Sequence, residues 1–248
     1  MTVTATHPAL EPGRVGGLRT ANRLAVAPMT RVSAAPDGTA TPQMAEYYAG
    51  FARGGFGLVI TEGIYTDTVY SQGYLNQPGL VSERHVAAWR EVAAGVRTAG
   101  APIVAQLMHA GALSQGNAYR DDTAGPSVVV PQGAKMPEYG GDGPWPAPKE
   151  MGLADIREAV SGFVTSAVNA RDAGFDGVEV HAANGYLLDQ FLTDYTNVRE
   201  DSYGGPVANR VRLTAEVVAA IRAEVGPDWC VGVRLSQTKV NDFRYWPG

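Results

Sequence analysis

Five short apolar runs, residues 24–27, 58–61, 103–107, 178–181 and 231–235, alternate along the chain with longer segments in which apolar residues recur every three or four positions. The short runs are nearly continuous in Val, Leu, Ile and Ala, as strands covered on both faces should be, and they predict five β-strands. The longer segments predict helices whose ends are marked. Thr41 and Pro42 supply an N-cap and a first-turn proline, Met44, Tyr47, Tyr48 and Phe51 form one face, and Gly54-Gly55 ends the element. A second helix runs from Ser82 with Val86, Trp89, Ala93 and Val96 inward and stops by Gly100. A third carries Ile156, Val160, Phe163, Val164 and Ala167 before Gly174, and a fourth carries Val211, Ala215, Val218 and Ile221 before Gly226-Pro227. Strand followed by helix, repeated, implies a parallel sheet.

Two α/β architectures fit that order, a doubly wound sheet and a (β/α)8 barrel, and both put sites at the carboxyl ends of strands. No Gly-x-Gly-x-x-Gly follows a strand and opens a helix; Gly13 to Gly17 and Gly204-Gly205 lie in other contexts, which favours the barrel. One domain over residues 1–248 is expected, with a long Gly- and Pro-rich loop at 108–150 over the barrel mouth. Only five strands are found by Leu235, where a closed barrel has eight, and the chain stops at Trp246-Pro247-Gly248. The expectation is therefore a TIM-type barrel with about five of its eight βα units, apparently truncated at the C-terminus.

Composition narrows the function classes. The chain of 248 residues is 45% hydrophobic and 18% charged, as ordinary globular domains are. A net charge of -5 without a Lys/Arg cluster argues against nucleic-acid and anionic-membrane partners. Cys230 is the single cysteine, so an internal disulfide and a metal site built on several thiolates are both excluded, and a buried core thiol is expected. The start, Met1 to Pro8, shows no basic segment followed by an apolar one, and no apolar run elsewhere approaches the roughly 20 residues that span a bilayer; a cytoplasmic location is expected.

The chemistry concentrates where the apolar strand Gly177-Val178-Glu179-Val180 ends in His181, with Asn184 and Tyr186 close behind. Three polar side chains at a strand's carboxyl end read as an active site. Downstream lies Asn197-Val198-Arg199-Glu200-Asp201-Ser202-Tyr203-Gly204-Gly205. The two segments together resemble the old yellow enzyme family of flavin-dependent ene-reductases. The resemblance continues through the segment from Asn22 to Arg31, Thr61-Glu62-Gly63, Gln106-Leu107-Met108-His109-Ala110-Gly111 and Arg234-Leu235-Ser236, each at or just beyond a strand end. It matches the N-terminal two-thirds of the family's barrel.

That resemblance implies an FMN-dependent oxidoreductase that reduces the C=C bond of small activated alkenes, enones or nitroalkenes, with NADH or NADPH. It assigns Arg234 to the flavin's N1 and C2 carbonyl, where a cation favours the reduced form, and Gln106 to its pyrimidine edge. Thr30 matches a hydroxyl donor to the C4 carbonyl, and Pro28 and Met29 lend backbone and apolar contact beside the ring. His181 and Asn184 match the pair that holds the substrate's oxygen, and Tyr186 the proton donor, a phenol protonated at neutral pH. Each position has a plainer reading as well. His181 could be a satisfied structural histidine, Arg234 an ion-pair partner for Glu179, Gln106 and Thr30 strand-end caps, and Tyr186 a packed ring. His109 is expected to shape its loop; Arg199 and Asp201 are expected to pin the turn at Gly204-Gly205.

The family's phosphate anchor, after strands seven and eight, would lie beyond Gly248. This leaves a fragment of a longer reductase as the favoured reading, with a missing C-terminal segment supplied by another chain, or a non-catalytic remnant acting through self-association, as alternatives. A flavin-free (β/α)-barrel enzyme such as an aldolase is the other alternative. It is weakened because the nearest candidate for a Schiff base, Lys239, is expected past the strand end.

Overall fold

The computed structural model describes residues 7–239. A hairpin of β1 (Gly13–Val15) and β2 (Leu18–Thr20) precedes β3 (Ala25–Val26), α1 (Pro42–Arg53), β4 (Leu58–Tyr65), α2 (Glu83–Thr98) and β5 (Ile103–Met108). After β6 (Ala124–Gly125) and β7 (Lys149–Glu150) come α3 (Leu153–Asp172), β8 (Gly177–Asn184), α4 (Leu187–Leu192), α5 (Val207–Arg210), α6 (Arg212–Val225) and β9 (Cys230–Lys239). The central sheet has the order β3-β4-β5-β8-β9, and every neighbouring pair is parallel. It forms an arc of a (β/α)8 barrel containing five of the eight strands that a closed barrel needs.

The helices begin and end as their capping residues dictate. Thr41 Oγ1 accepts from the Met44 N–H at 3.4 Å, and Ser82 Oγ from the His85 N–H at 3.3 Å, each relieving an otherwise orphaned first-turn donor. The helices cover the outer sheet face with Tyr48, Trp89, Phe163, Leu213, Val217 and Ile221, all buried in one cluster with Val178 and Val180. Burying side chains of this size stabilises by roughly 1.5–3 kcal/mol each. Cys230 is buried, as expected, beneath the β1–β2 hairpin.

Several expectations shift. The buried stripe of α6 is Leu213, Val217, Ile221 and Val225, while Val211 and Ala215 are exposed, because the helix starts after a separate turn at α5. Burial on both strand faces holds along β5 but not at β9, where Val233 is 41% and Leu235 65% exposed and no described helix lies beyond. Lys239 is the last residue of β9, not past its end, because pairing with β8 resumes beyond an irregularity and joins Asn184 to Lys239. The excursion after β5 is not wholly irregular, since β6 and β7 pair in parallel across it. Arg199 grips Asp201 through two nitrogens at 3.0 and 2.6 Å, and a Cβ at Gly204 would run into the Arg199 carbonyl. Among the described residues no helix is long and apolar enough to cross a membrane. The expected stop at Trp246 to Gly248, and the start as far as Thr6, lie outside the described residues.

Candidate active site

Register puts the site on the inner sheet face. Gln106 lies opposite Glu179, and His181 opposite Arg234. Residues opposite one another share a face and alternate residues share it along a strand, so Gln106, Glu179, His181 and Arg234 project together, away from Val178 and Val180 in the core. Opposite Glu179 stands Gly232, which puts no side chain between Glu179 and Arg234. The Glu179 carboxylate accepts Gln106 Nε2 at 2.8 Å, Arg234 Nε at 2.7 Å and Arg234 Nη2 at 3.1 Å.

At the end of β8 the chain turns sharply. Asn184 at φ 62 and Gly185 at φ 88 both occupy the left-handed region, which asparagine tolerates and glycine enters freely. Ser236 Oγ accepts the Asn184 N–H at 2.8 Å, buried Asp189 accepts the Gly185 N–H at 2.6 Å, and Gln190 Nε2 donates to the Gly185 carbonyl at 2.7 Å. The turn brings Tyr186 back against His181, their ring centroids 5.1 Å apart. Burial, with the Arg234 charge beside it, drives the His181 imidazole down to about 3, so it is neutral at physiological pH. Its buried Nδ1 has no hydrogen-bond partner among the described residues. Burial and neighbouring Tyr139 raise the Tyr186 phenol above its ordinary value, so it holds its proton throughout the neutral range.

The opposite wall is the segment leaving β3. Buried Glu62 accepts the Arg31 N–H at 3.1 Å and the Tyr48 hydroxyl at 3.1 Å, tying down a loop in which the β-branched Val32 adopts φ 53. Burial raises the Glu62 carboxyl to about 6 against the lowering effect of those bonds. Thr30 Oγ1 accepts from the Tyr74 hydroxyl at 3.5 Å. A side chain at Gly63 would strike Met108, which therefore reaches the same space.

All eight residues singled out in the sequence, Pro28, Met29, Thr30, Gln106, His181, Asn184, Tyr186 and Arg234, line one solvent-open pocket of about 560 Å³. Sequence reasoning missed Tyr139, which enters the pocket from the long excursion and whose ring lies 5.5 Å from that of Tyr74. It also gave no role to Glu62, though the Thr61-Glu62-Gly63 motif contained it, and held Glu179 only as a possible partner for Arg234. His109 lies off the pocket lining, with Nδ1 accepting the Gly111 N–H at 3.1 Å.

The donor set fits a flat heteroaromatic ring. The pocket is lined by an imidazole, the amides of Gln106 and Asn184, the guanidinium groups of Arg31 and Arg234, the hydroxyls of Thr30, Tyr139 and Tyr186, and the apolar Ala27, Pro28, Met29 and Met108. Arg31 and Arg234 are its cations among the described residues, and the expected phosphate anchor has no counterpart among them.

Residues 10–243 match the NADH:flavin oxidoreductase / NADH oxidase family. The chain is 37% identical over 235 residues to 12-oxophytodienoate reductase 7 of Oryza sativa subsp. japonica, covering 92% of this chain and 58% of that protein. A probable flavin mononucleotide-dependent alkene reductase of Leishmania infantum is also 37% identical, with 92% of this chain and 63% of the relative covered. Among solved structures, the old yellow enzyme homologue of Zymomonas mobilis superposes with a TM-score of 0.86 at 37% identity, over 93% of this chain and 64% of that one. The chain thus spans less than two-thirds of the length of these relatives.

Proposed function

Because the chain belongs to the NADH:flavin oxidoreductase / NADH oxidase family, the family of the old yellow enzymes, we propose that the protein is an FMN-dependent oxidoreductase that reduces the C=C bond of activated alkenes, enones or nitroalkenes, with NAD(P)H. The observation that carries this reading is the convergence of His181, Asn184 and Tyr186 on the pocket that Gln106, Arg234 and Thr30 also line. When bound, FMN supplies two-electron hydride delivery from its N5.

The chain's residues divide into two groups around that chemistry. Pro28 and Met29 give backbone and apolar contact to the ring, Thr30 a hydroxyl for its C4 carbonyl, Gln106 a polar amide for its pyrimidine edge, and Arg234 a fixed cation for the charge that accumulates near N1. His181 and Asn184 hold the substrate's carbonyl or nitro oxygen. A neutral imidazole suits that task because it donates a hydrogen bond without bringing a second buried positive charge beside Arg234. Tyr186 delivers a proton from its hydroxyl to the substrate's α-carbon; held above its ordinary pKa, it reaches that step protonated.

The test is the absorbance of the purified full-length protein and its NAD(P)H consumption with a nitroalkene and an enone. Flavin absorbance and alkene-dependent turnover are expected, with turnover lost when His181 and Asn184 are replaced together by Ala. A colourless protein, or a double variant as active as the wild type, overturns the reading.

A further inference from the structure

We propose that Glu179 is a positioning residue that turns the Gln106 carbonyl and the free edge of the Arg234 guanidinium into the pocket, so that the site selects a ring edge presenting an N–H beside a carbonyl oxygen. The proposal deepens the flavin reading above and rests on it. An ionised carboxylate only accepts hydrogen bonds. Facing Glu179 at 2.8 Å, the Gln106 amide must therefore present Nε2 to it, leaving Oε1 turned away, and Oε1 accepts no hydrogen bond among the described residues. Arg234 likewise commits Nε and Nη2 to the same carboxylate and leaves Nη1 without a partner among the described residues.

The outcome is an acceptor and a donor side by side on a wall of the pocket that Gln106 and Arg234 both line. An imide edge, with its N–H flanked by a carbonyl, is complementary to that pair; an edge with acceptors at both places is not. Glu179 itself does not line the pocket and acts through its two partners. Without its carboxylate the Gln106 amide would rotate freely about its terminal torsion and show either end. The cation at Arg234 would also lose the negative charge that offsets it.

A double-mutant cycle on the full-length protein tests this, with FMN affinity read by fluorescence quenching and the two-electron midpoint potential measured for wild type, E179Q, Q106A and the pair. E179Q is expected to weaken FMN binding by roughly tenfold, about the worth of one hydrogen bond to a polar edge. It is expected to cost less once Gln106 is already Ala, because only the Arg234 contacts then remain to be lost, and to raise the potential because Arg234 is no longer compensated. Additive losses, or an unchanged potential, would show that Glu179 merely supports the sheet. A measurement on the wild type needs no variant to fold: N3-methyl-FMN, whose N–H is gone, is expected to bind at least tenfold more weakly than FMN, and equal affinities overturn the assignment. Wild-type protein that takes up no FMN overturns the flavin reading as a whole, an outcome distinct from FMN uptake with additive losses.

Discussion

The rings of His181 and Tyr186 meet edge to face at 73°, with centroids 5.1 Å apart, because the left-handed Asn184 and Gly185 fold the chain back between them. The contact places the proposed oxygen clamp and the proposed proton donor on one rigid turn. Tyr186→Phe keeps the ring and its packing and removes only the hydroxyl. It is expected to leave flavin reduction by the nicotinamide intact and to slow alkene reduction by roughly a hundred- to ten-thousand-fold, the usual worth of a positioned acid. Stopped-flow measurement of the two half-reactions separates these steps, and equal slowing of both would make the tyrosine structural.

His181 is expected to remain neutral between about pH 5 and 8, unlike an exposed histidine. Its folded-state value of about 3 lies below the ordinary 6.5. A depressed value means that the unfolded chain binds the extra proton, so the associated stability is complete above about 6.5 and is lost as pH falls through about 3. Nitrogen-15 NMR of the imidazole follows this directly. A His181 resonance titrating near pH 6.5 would show that the ring is solvated and the pocket more open than described.

How much of this was legible beforehand follows from what each part depends on. The side of the sheet that carries the site was legible because a chemical residue late in an apolar run, as at His181 and Arg234, leaves a mark within a few positions of sequence; the strand ends were not, since pairing carries β8 on to Asn184 and β9 to Lys239. The α6 stripe was misplaced because Val211 and Val218 are as apolar as Leu213 and Val217, and only the break after α5 sets which row faces inward. Glu179 was only a possible partner for Arg234 because its role comes from register: it stands opposite Gln106, on a strand 73 residues away in sequence. Tyr139 had no local signal at all, since a Gly- and Pro-rich excursion has no period from which to infer which of its rings will reach the pocket.

Tyr139 offers a test of the excursion's role. Its ring lines the pocket against Tyr74 and faces the Tyr186 side, so it borders the space a substrate would fill. Tyr139→Ala is expected to raise KM for bulky cyclic enones by several-fold, since loss of an aromatic contact costs about 0.5–1.5 kcal/mol, while kcat for a small nitroalkene changes little. Uniform loss of kcat across substrates would instead indicate that the ring supports Tyr186.

Glu62 links the protonation state of the core to the loop that carries Thr30. Its carboxylate accepts the Arg31 N–H and the Tyr48 hydroxyl, and nearby Val32 is held in a conformation its branched side chain disfavours. Burial nevertheless raises it from an ordinary 4.5 to about 6, which corresponds to about 2 kcal/mol. For a raised carboxyl the folded state binds the extra proton, so the associated stability is fully present below about 4.5 and is lost as pH rises through about 6. Glu62→Gln cannot titrate and keeps an oxygen for the Arg31 N–H. Denaturation of the two proteins across that window should therefore show wild type losing about 2 kcal/mol relative to the variant as pH rises. Parallel stability curves would mean that the carboxyl titrates at its ordinary value, and that the Arg31 and Tyr48 bonds balance its burial.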